Sequence, residues 1–121
     1  MKEYLDHPIV KGYIDANRFG ILLDMEFDIF NPGEVLYLMK ISEKHLATPF
    51  AAHGGSISAM MDATMGVCAL SQVIDENKVV STIEMKISFL SPGKLGDVLK
   101  GTAKIIKSGR RILFVEGLIE N

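Results

Sequence analysis

Hydrophobic residues dominate one long stretch of the chain, residues 53–74, which reads HGGSISAMMDATMGVCALSQVI. Apolar side chains fall on nearly every side of a helix drawn through this stretch, a pattern typical of a helix enclosed by the rest of the protein. Ser56 is predicted to cap its start, and the polar residues 75–78 are predicted to end it. Asp62 is the one charge inside the stretch. Because burying a carboxylate among apolar side chains is costly, Asp62 is the first candidate for a functional residue.

Outside this helix, apolar and polar residues alternate with the period of two that predicts β-strands. The alternation starts at Gly20, continues to Ile29, and resumes over residues 35–41 after a turn at residues 31–33, which predicts a hairpin. Further strands are predicted over residues 79–90, 98–107 and 111–119, with turns at residues 91–93 and 108–109. A short helix is predicted to start near Pro8, and residues 42–52 are predicted to form a loop.

The predicted elements follow one another as helix, strand, strand, long helix and three strands. An antiparallel sheet that curls around the long helix would let helix and strands share one core. We therefore predict an α+β fold in which residues 1–121 form a single domain, since 121 residues is a common domain size.

Composition narrows the classes of partner. The 13 basic and 15 acidic residues give a net charge of −2, which predicts neither a nucleic-acid partner nor a polybasic membrane anchor. A membrane-spanning interpretation of residues 54–74 is disfavoured by their many Gly, Ser and other polar residues. The single cysteine, Cys68, is predicted to be a small core residue in a reducing compartment. Residues 1–6 lack the apolar segment of a signal peptide, which predicts a cytoplasmic location.

One motif points to a family. His53, Gly54 and Gly55 precede the long helix, Asp62 follows the histidine by nine positions, and Gly66 follows Asp62 by four. This spacing resembles the HGG-x6-D-x3-G pattern of the hotdog-fold acyl-CoA thioesterases of the phenylacetyl-CoA (PaaI-like) group. Residues 81–97 also resemble the family's strand after the helix and its Pro-containing turn. The resemblance covers about residues 8–121 and implies a hotdog fold, an antiparallel curled sheet wrapped around a long central helix.

The resemblance also implies roles for individual residues in hydrolysis of an acyl-CoA to a free acid and CoA. The Gly54 amide would be the oxyanion donor, and Asp62 the general base or nucleophile, across the interface of a homodimer. Thr82 would hold Asp62 or the attacking water, while His53 and Gly55 would shape the turn. No metal is implied, and coenzyme A enters as part of the substrate. Chemically, free N–H groups at a helix start can stabilise an oxyanion.

Several basic residues lie late in the chain, where the phosphates of CoA could find partners. Lys107, Arg110 and Arg111 flank the predicted turn at residues 108–109 and are the preferred candidates. The alternative is that these residues form an ordinary solvated strand face. The family resemblance further implies a homodimer or a dimer of dimers.

Two departures from the family pattern keep alternatives open. Many relatives have an Asn six residues before the motif histidine, where this chain has Ala47, with His45 and Thr48 as possible replacements. The missing amide favours a second class, a non-catalytic acyl-CoA-binding or regulatory protein. Separately, Asp62 itself has an alternative interpretation as a structural carboxylate at a dimer seam. Relatives also continue into a final strand, so either that strand follows Asn121 or the sheet is one strand short, with an edge that a partner covers.

Overall fold

Four antiparallel strands in the order β1-β2-β3-β4 form one sheet in the computed structural model, which describes residues 4–121. The strands are β1 (Met25–Asn31), β2 (Glu34–Lys40), β3 (Val98–Ser108) and β4 (Leu113–Glu120). The α-helices are α1 (Pro8–Ala16), α2 (Arg18–Leu22) and α3 (Gly54–Val73), and short 3-10 turns cover Tyr4–Asp6, Glu43–His45 and Ile74–Glu76. The predicted first hairpin, long helix and last two strands therefore lie within a few residues of their predicted bounds.

The sheet curls around α3. Register shifts between Ile29 and Asn31 and between Ile105 and Lys107 interrupt the pairing of β1 with β2 and of β3 with β4. Such irregularities bend a strand and increase its twist. The concave face packs on α3, and the most buried hydrophobic side chains of the shared core are Val10, Tyr37, Met39, Ile41, Met60, Val67, Cys68 and Ile74.

The β1-β2 turn is fastened to the C-terminal half of α3. Gly33 has φ +78°, a conformation that favours glycine because other residues meet steric strain there. Its N–H donates to Ser71 Oγ at 2.8 Å, and Cys68 Sγ donates to its carbonyl at 3.4 Å. These bonds fix the position of the first hairpin along the helix.

Only one face of α3 is enclosed. Thr64 and Val67 are buried against the sheet, and Met61 and Met65 lie against Gly117 of β4, whereas Asp62 and Gly66 are half-buried on the other side. The prediction of an enclosed helix is therefore wrong for this open face in the single chain. The physical reason is that a four-stranded sheet covers one side of a helix and leaves the other to another partner.

The strand predicted over residues 79–90 is absent, since these residues pair with no strand in the described part of the chain. Instead, residues 78–86 line one side of a groove of about 1070 Å³ whose other side includes the start of β4 and whose floor is α3. Alternating sequence alone does not make a strand, because ladder hydrogen bonds need a neighbouring backbone. The period of two identified a segment suited to a sheet, but the chain brings no strand beside it.

Residues 20–22, predicted to begin the first strand, belong to α2 instead. The Asn17 side chain caps that short helix by accepting from the Gly20 N–H at 3.1 Å. Asn is among the preferred N-cap residues, because its side-chain oxygen satisfies an amide that lacks an intrahelical partner. This local bond overrides the alternation at the start of the hairpin.

Gly101 lies at a close approach of β3 to α3, and we predict that it does not tolerate a side chain. A Cβ atom there would lie 2.5 Å from Thr64 Oγ1, which is itself held by a 2.7 Å hydrogen bond to the Met60 carbonyl. Gly101→Ala should therefore lower the free energy of unfolding by about 1–3 kcal/mol through overpacking.

The measurement is urea denaturation, with Gly12→Ala as the control. Gly12 lies in α1, and a Cβ atom added there would have no heavy atom of another element within 4 Å, so alanine should raise stability by about 0.5–1 kcal/mol. Equal and small effects of the two substitutions would contradict the tight helix–sheet contact at Gly101.

Candidate active site

The start of α3 leaves one backbone amide without a partner. His53 has an extended backbone with φ −64° and ψ 134°, and its ring Nδ1 accepts from the Gly55 N–H at 2.7 Å. The His53 carbonyl accepts from the Ser56 N–H at 2.9 Å. Among residues 4–121, no acceptor lies within hydrogen-bonding reach of the Gly54 N–H. This exposed amide at the positive end of a long helix is suited to a developing negative charge.

His53, and not Ser56, is the N-cap of α3. The prediction of Ser56 is wrong because the helix begins directly after the histidine, with both glycines in its first turn. Ser56 lies inside the helix, and its hydroxyl donates to the His45 carbonyl at 3.3 Å. A histidine ring can cap because its unprotonated nitrogen accepts as a carboxamide oxygen does.

The loop before the helix is held from two sides. The His53 N–H donates to the His45 carbonyl at 2.7 Å. The Ala52 N–H donates to the Gly93 carbonyl at 2.8 Å, and the Leu95 N–H donates to the Phe50 carbonyl at 2.9 Å. The segment leading to Gly54 is therefore hydrogen-bonded both to His45 at its own start and to the turn after residue 90.

Asp62 and Thr82 form a hydrogen-bonded pair on the open side of α3. Thr82 Oγ1 donates to Asp62 Oδ1 at 2.6 Å, and the Asp62 side chain is half-buried. The other carboxylate oxygen has no partner within the described residues, so it can accept a proton from a water or attack a carbonyl. The structure thus brings together two residues that are 20 positions apart in sequence.

Gly54 and Asp62 cannot reach the same carbonyl group from one chain. They are eight residues apart on a continuous helix, which corresponds to about 12 Å along its axis. A reacting carbonyl needs its oxyanion donor and its attacking group within about 3 Å. Any site that uses both residues must therefore take them from two copies of the chain.

Two cavities lie beside these residues. The groove of about 1070 Å³ is lined by Asp62, Thr82, Arg110 and Arg111 among others, so two of the three predicted CoA-binding residues lie near the hydrogen-bonded pair. Lys107 does not line it. A smaller cavity of about 310 Å³ adjoins Gly54 and is walled by the turn after residue 90 and by Phe89.

Of the two suggested replacements for the missing Asn at Ala47, His45 has no free ring nitrogen, and Thr48 is engaged as an acceptor within its own loop. His45 is fully buried, with both ring nitrogens engaged: Nδ1 with the Ser42 N–H at 2.9 Å and Nε2 with the Leu23 carbonyl at 2.7 Å. Thr48 Oγ1 accepts from the backbone N–H groups of residues 50 and 51. Sequence reasoning missed the buried position of His45, although Ser42 three residues earlier fits a capping arrangement.

Cys68 lines neither of the two cavities. Cys68 is buried in the core, and burial raises the pKa of its thiol, which lowers the fraction of reactive thiolate. Over residues 4–121, no three His, Cys, Asp or Glu side chains come close enough to hold a metal ion. The candidate reacting groups that the structure places beside the cavities are Asp62, Thr82 and the Gly54 amide.

Comparisons with known proteins agree with this geometry. A sequence profile described as thioesterase superfamily matches residues 51–121. Human acyl-coenzyme A thioesterase 13 is 29% identical over 108 residues, which is 88% of this chain and 75% of the human protein. The Escherichia coli PaaI protein from the phenylacetic acid degradation operon has a TM-score of 0.75 at 18% identity, over 88% of this chain and 84% of that one.

A further solved structure is a hypothetical thioesterase protein with coenzyme A from Streptococcus pneumoniae TIGR4. It has a TM-score of 0.72 at 26% identity and covers 80% of this chain and 75% of that chain. These similarities confirm the predicted hotdog fold and the predicted resemblance to the PaaI-like thioesterases.

Proposed function

Because the chain belongs to the thioesterase superfamily, we propose that it hydrolyses an acyl-CoA to a free acid and CoA, with Asp62 and the Gly54 amide as the reacting centre. The observation that carries this proposal is the hydrogen bond from Thr82 to Asp62, which orients a carboxylate with one free oxygen on the open face of α3. The unpartnered Gly54 amide supports the same chemistry. The relative named as an acyl-CoA thioesterase favours acyl-CoA as the substrate.

The proposed reaction uses a water molecule. The free oxygen of Asp62 takes a proton from the water while the water oxygen attacks the thioester carbon. The carbonyl oxygen becomes an oxyanion, which the Gly54 N–H stabilises. The carbon–sulfur bond then breaks, and the CoA thiolate leaves and takes up a proton. In the alternative route, Asp62 attacks the carbon directly, the carbon–sulfur bond breaks as the CoA thiolate leaves, and water then hydrolyses the resulting anhydride to the free acid and the Asp62 carboxylate.

The site requires a homodimer in this proposal. Two antiparallel copies of α3, related by a two-fold axis, would place Asp62 of one copy opposite Gly54 of the other, twice per dimer. The half-buried Met65, which lines the groove beside Asp62, would supply apolar contact area. Ile83 and Leu90 are 79% and 90% exposed in the single chain and would add to it. A dimer of dimers and a cytoplasmic location stay predictions.

CoA phosphates are proposed to bind Arg110 and Arg111, with Lys107 as an outer contact. Guanidinium groups bind phosphate oxygens in pairs, which suits the diphosphate and 3′-phosphate. The acyl end is proposed to lie near the 310 Å³ cavity beside Gly54, where Phe89 and Ile57 provide apolar walls. This arrangement orients the thioester between the basic turn and the helix start.

A second candidate function is acyl-CoA binding without efficient turnover, and Ala47 favours it. Ala47 has no side-chain donor where many relatives have an amide. Such a protein would bind acyl-CoA through the same residues but leave the thioester intact. Binding and hydrolysis measured together distinguish the two functions.

We expect Asp62→Asn to lower kcat for acyl-CoA hydrolysis by about 100-fold or more while acyl-CoA binding is retained, because the amide cannot act as a general base. A panel of short, medium, long and aromatic acyl-CoAs would be assayed for hydrolysis and, by calorimetry, for binding.

Thr82→Val should lower kcat by about tenfold through the lost hydrogen bond to Asp62, and Thr82→Ser should retain the hydrogen bond and the wild-type kcat. Equal hydrolysis by wild type and Asp62→Asn would remove Asp62 from the mechanism, and binding without any hydrolysis would support the second candidate.

A mixed dimer should recover activity that neither parent has. Gly54→Pro removes the N–H while fitting the first position of a helix, and His53 already has the extended backbone that precedes proline. A dimer of Gly54→Pro with Asp62→Asn contains one site with both groups intact only if each site spans two chains.

Co-expression with two affinity tags would isolate the mixed dimer, and the expected activity is about half that of wild type, since one of two sites is restored. Gly54→Ala is the control that keeps the N–H, because its Cβ would meet Phe89 at an ordinary 3.5 Å. An inactive mixed dimer from folded parents would refute the shared site.

Replacing Arg110 and Arg111 by Gln should raise the KM for acyl-CoA by at least about tenfold and leave kcat within about twofold, since each charge-assisted bond contributes about 1.5–3 kcal/mol. The matched substrate is an acyl thioester of N-acetylcysteamine, which lacks the phosphates. Its KM should be the same for the double variant and the wild type. Lys104→Gln serves as the control variant, because Lys104 pairs with Glu116 at 3.4 Å. A similar loss on both substrates would assign the arginines a structural role.

A further inference from the structure

His45 is a fully buried histidine that makes hydrogen bonds through its ring and through its carbonyl. Its ring Nδ1 accepts from the Ser42 N–H at 2.9 Å, and Nε2 lies 2.7 Å from the Leu23 carbonyl. Its own carbonyl accepts from the His53 N–H at 2.7 Å and from the Ser56 hydroxyl at 3.3 Å. His45 therefore links the segment just before β1, the segment just after β2 and the start of α3.

The partners of the ring define its chemical form. A backbone N–H can only donate and a carbonyl can only accept, so Nδ1 is unprotonated and Nε2 carries the proton. With both nitrogens engaged and no exposed surface, the ring has one orientation. Because the ring is fully buried with both nitrogens engaged, it is not a substitute for the missing Asn at Ala47.

We propose that His45 is a positioning residue that holds the Gly54 amide in the orientation needed for the oxyanion, an inference that rests on the proposed function. The ring fixes the direction of the His45 carbonyl, which holds the His53 N–H on one side and the Ser56 hydroxyl on the other. Gly54 lies between these two attachment points. The direction of the Gly54 N–H is therefore set by the His45 carbonyl. The position of that carbonyl depends in turn on the His45 ring, which is buried in the core.

The geometry explains why a buried polar ring is used there. The glycines of the turn have no side chains to pack, so they cannot fix their own backbone. An apolar residue at position 45 would leave the Ser42 N–H and the Leu23 carbonyl without their buried partner, which is costly. A neutral histidine satisfies both groups and immobilises the carbonyl that the helix start depends on.

Two substitutions each keep one of the ring's two hydrogen bonds. His45→Asn keeps an acceptor near the Nδ1 position for the Ser42 N–H, and His45→Gln keeps a donor near the Nε2 position for the Leu23 carbonyl. Each should lower kcat by about 10-fold to 100-fold with KM within about twofold, since small misplacements of a catalytic group carry penalties of this size. Amide hydrogen exchange measured by NMR should accelerate at His53 more than in β1 to β3.

Val10→Ala is the matched control, because Val10 is fully buried in α1 and far along the chain from this turn. It should accelerate exchange throughout the core without changing kcat. If neither His45 variant folds, Ser56→Ala removes one donor to the same carbonyl from the helix surface. It should lower kcat by about fivefold, which corresponds to one ordinary hydrogen bond, and accelerate exchange at His53.

The outcomes separate the two proposals. Wild type that hydrolyses no acyl-CoA refutes the proposed function, and His53 exchange in the His45 variants still decides whether His45 holds the turn. Folded His45 variants with unchanged kcat, or with no selective change in His53 exchange, would overturn the positioning role. A kcat loss of equal size in Val10→Ala would also overturn it, because the effect would then follow general destabilisation.

Discussion

A helix cannot supply acceptors for its own first amide groups, and the start of α3 is organised around that constraint. The His53 ring takes the Gly55 N–H, and the His53 carbonyl takes the Ser56 N–H. The Gly54 N–H is left over beside an accessible cavity. The bonds from His45 and Gly93 then hold the loop so that this leftover amide has a fixed place. The unpartnered Gly54 N–H, which is unfavourable for folding, is thereby available for binding a negative charge.

The second constraint is that the four-stranded sheet covers only one face of α3. Asp62 lines the open groove together with Met65 and Ala69, so the surface that would favour a second copy is also the surface that carries the carboxylate. Because Gly54 and Asp62 are separated along one helix axis, pairing of two helices is the simplest way to bring such groups together. Assembly and chemistry would then depend on the same residues, and loss of the dimer would remove both.

Much of the fold follows from local sequence, because the alternation in β1 to β4 and the long apolar helix depend on side chains within one element and its neighbours. The strand predicted over residues 79–90 would need a neighbouring backbone, which an alternating pattern cannot supply. At the site, the family pattern rather than periodicity paired Asp62 with Thr82, and their hydrogen bond confirms that they are neighbours in space without testing a catalytic role. The burial of His45 was not predictable, because Ser42 indicates only the local hydrogen bond to its ring, and the packing of the whole chain brings the Leu23 carbonyl to the other nitrogen.

Ala47 is expected to affect the rate of thioester hydrolysis more than it decides between an enzyme and a binding protein. Removing one donor from an oxyanion site typically costs about 100-fold to 1,000-fold in kcat. Enzymes commonly accelerate reactions by about a million-fold or more, so a loss of that size leaves substantial catalysis. The Gly54 amide, the positive end of α3 and the Thr82-bound carboxylate do not depend on the side chain at position 47. A slow thioesterase therefore fits the structure better than a protein that has lost its chemistry.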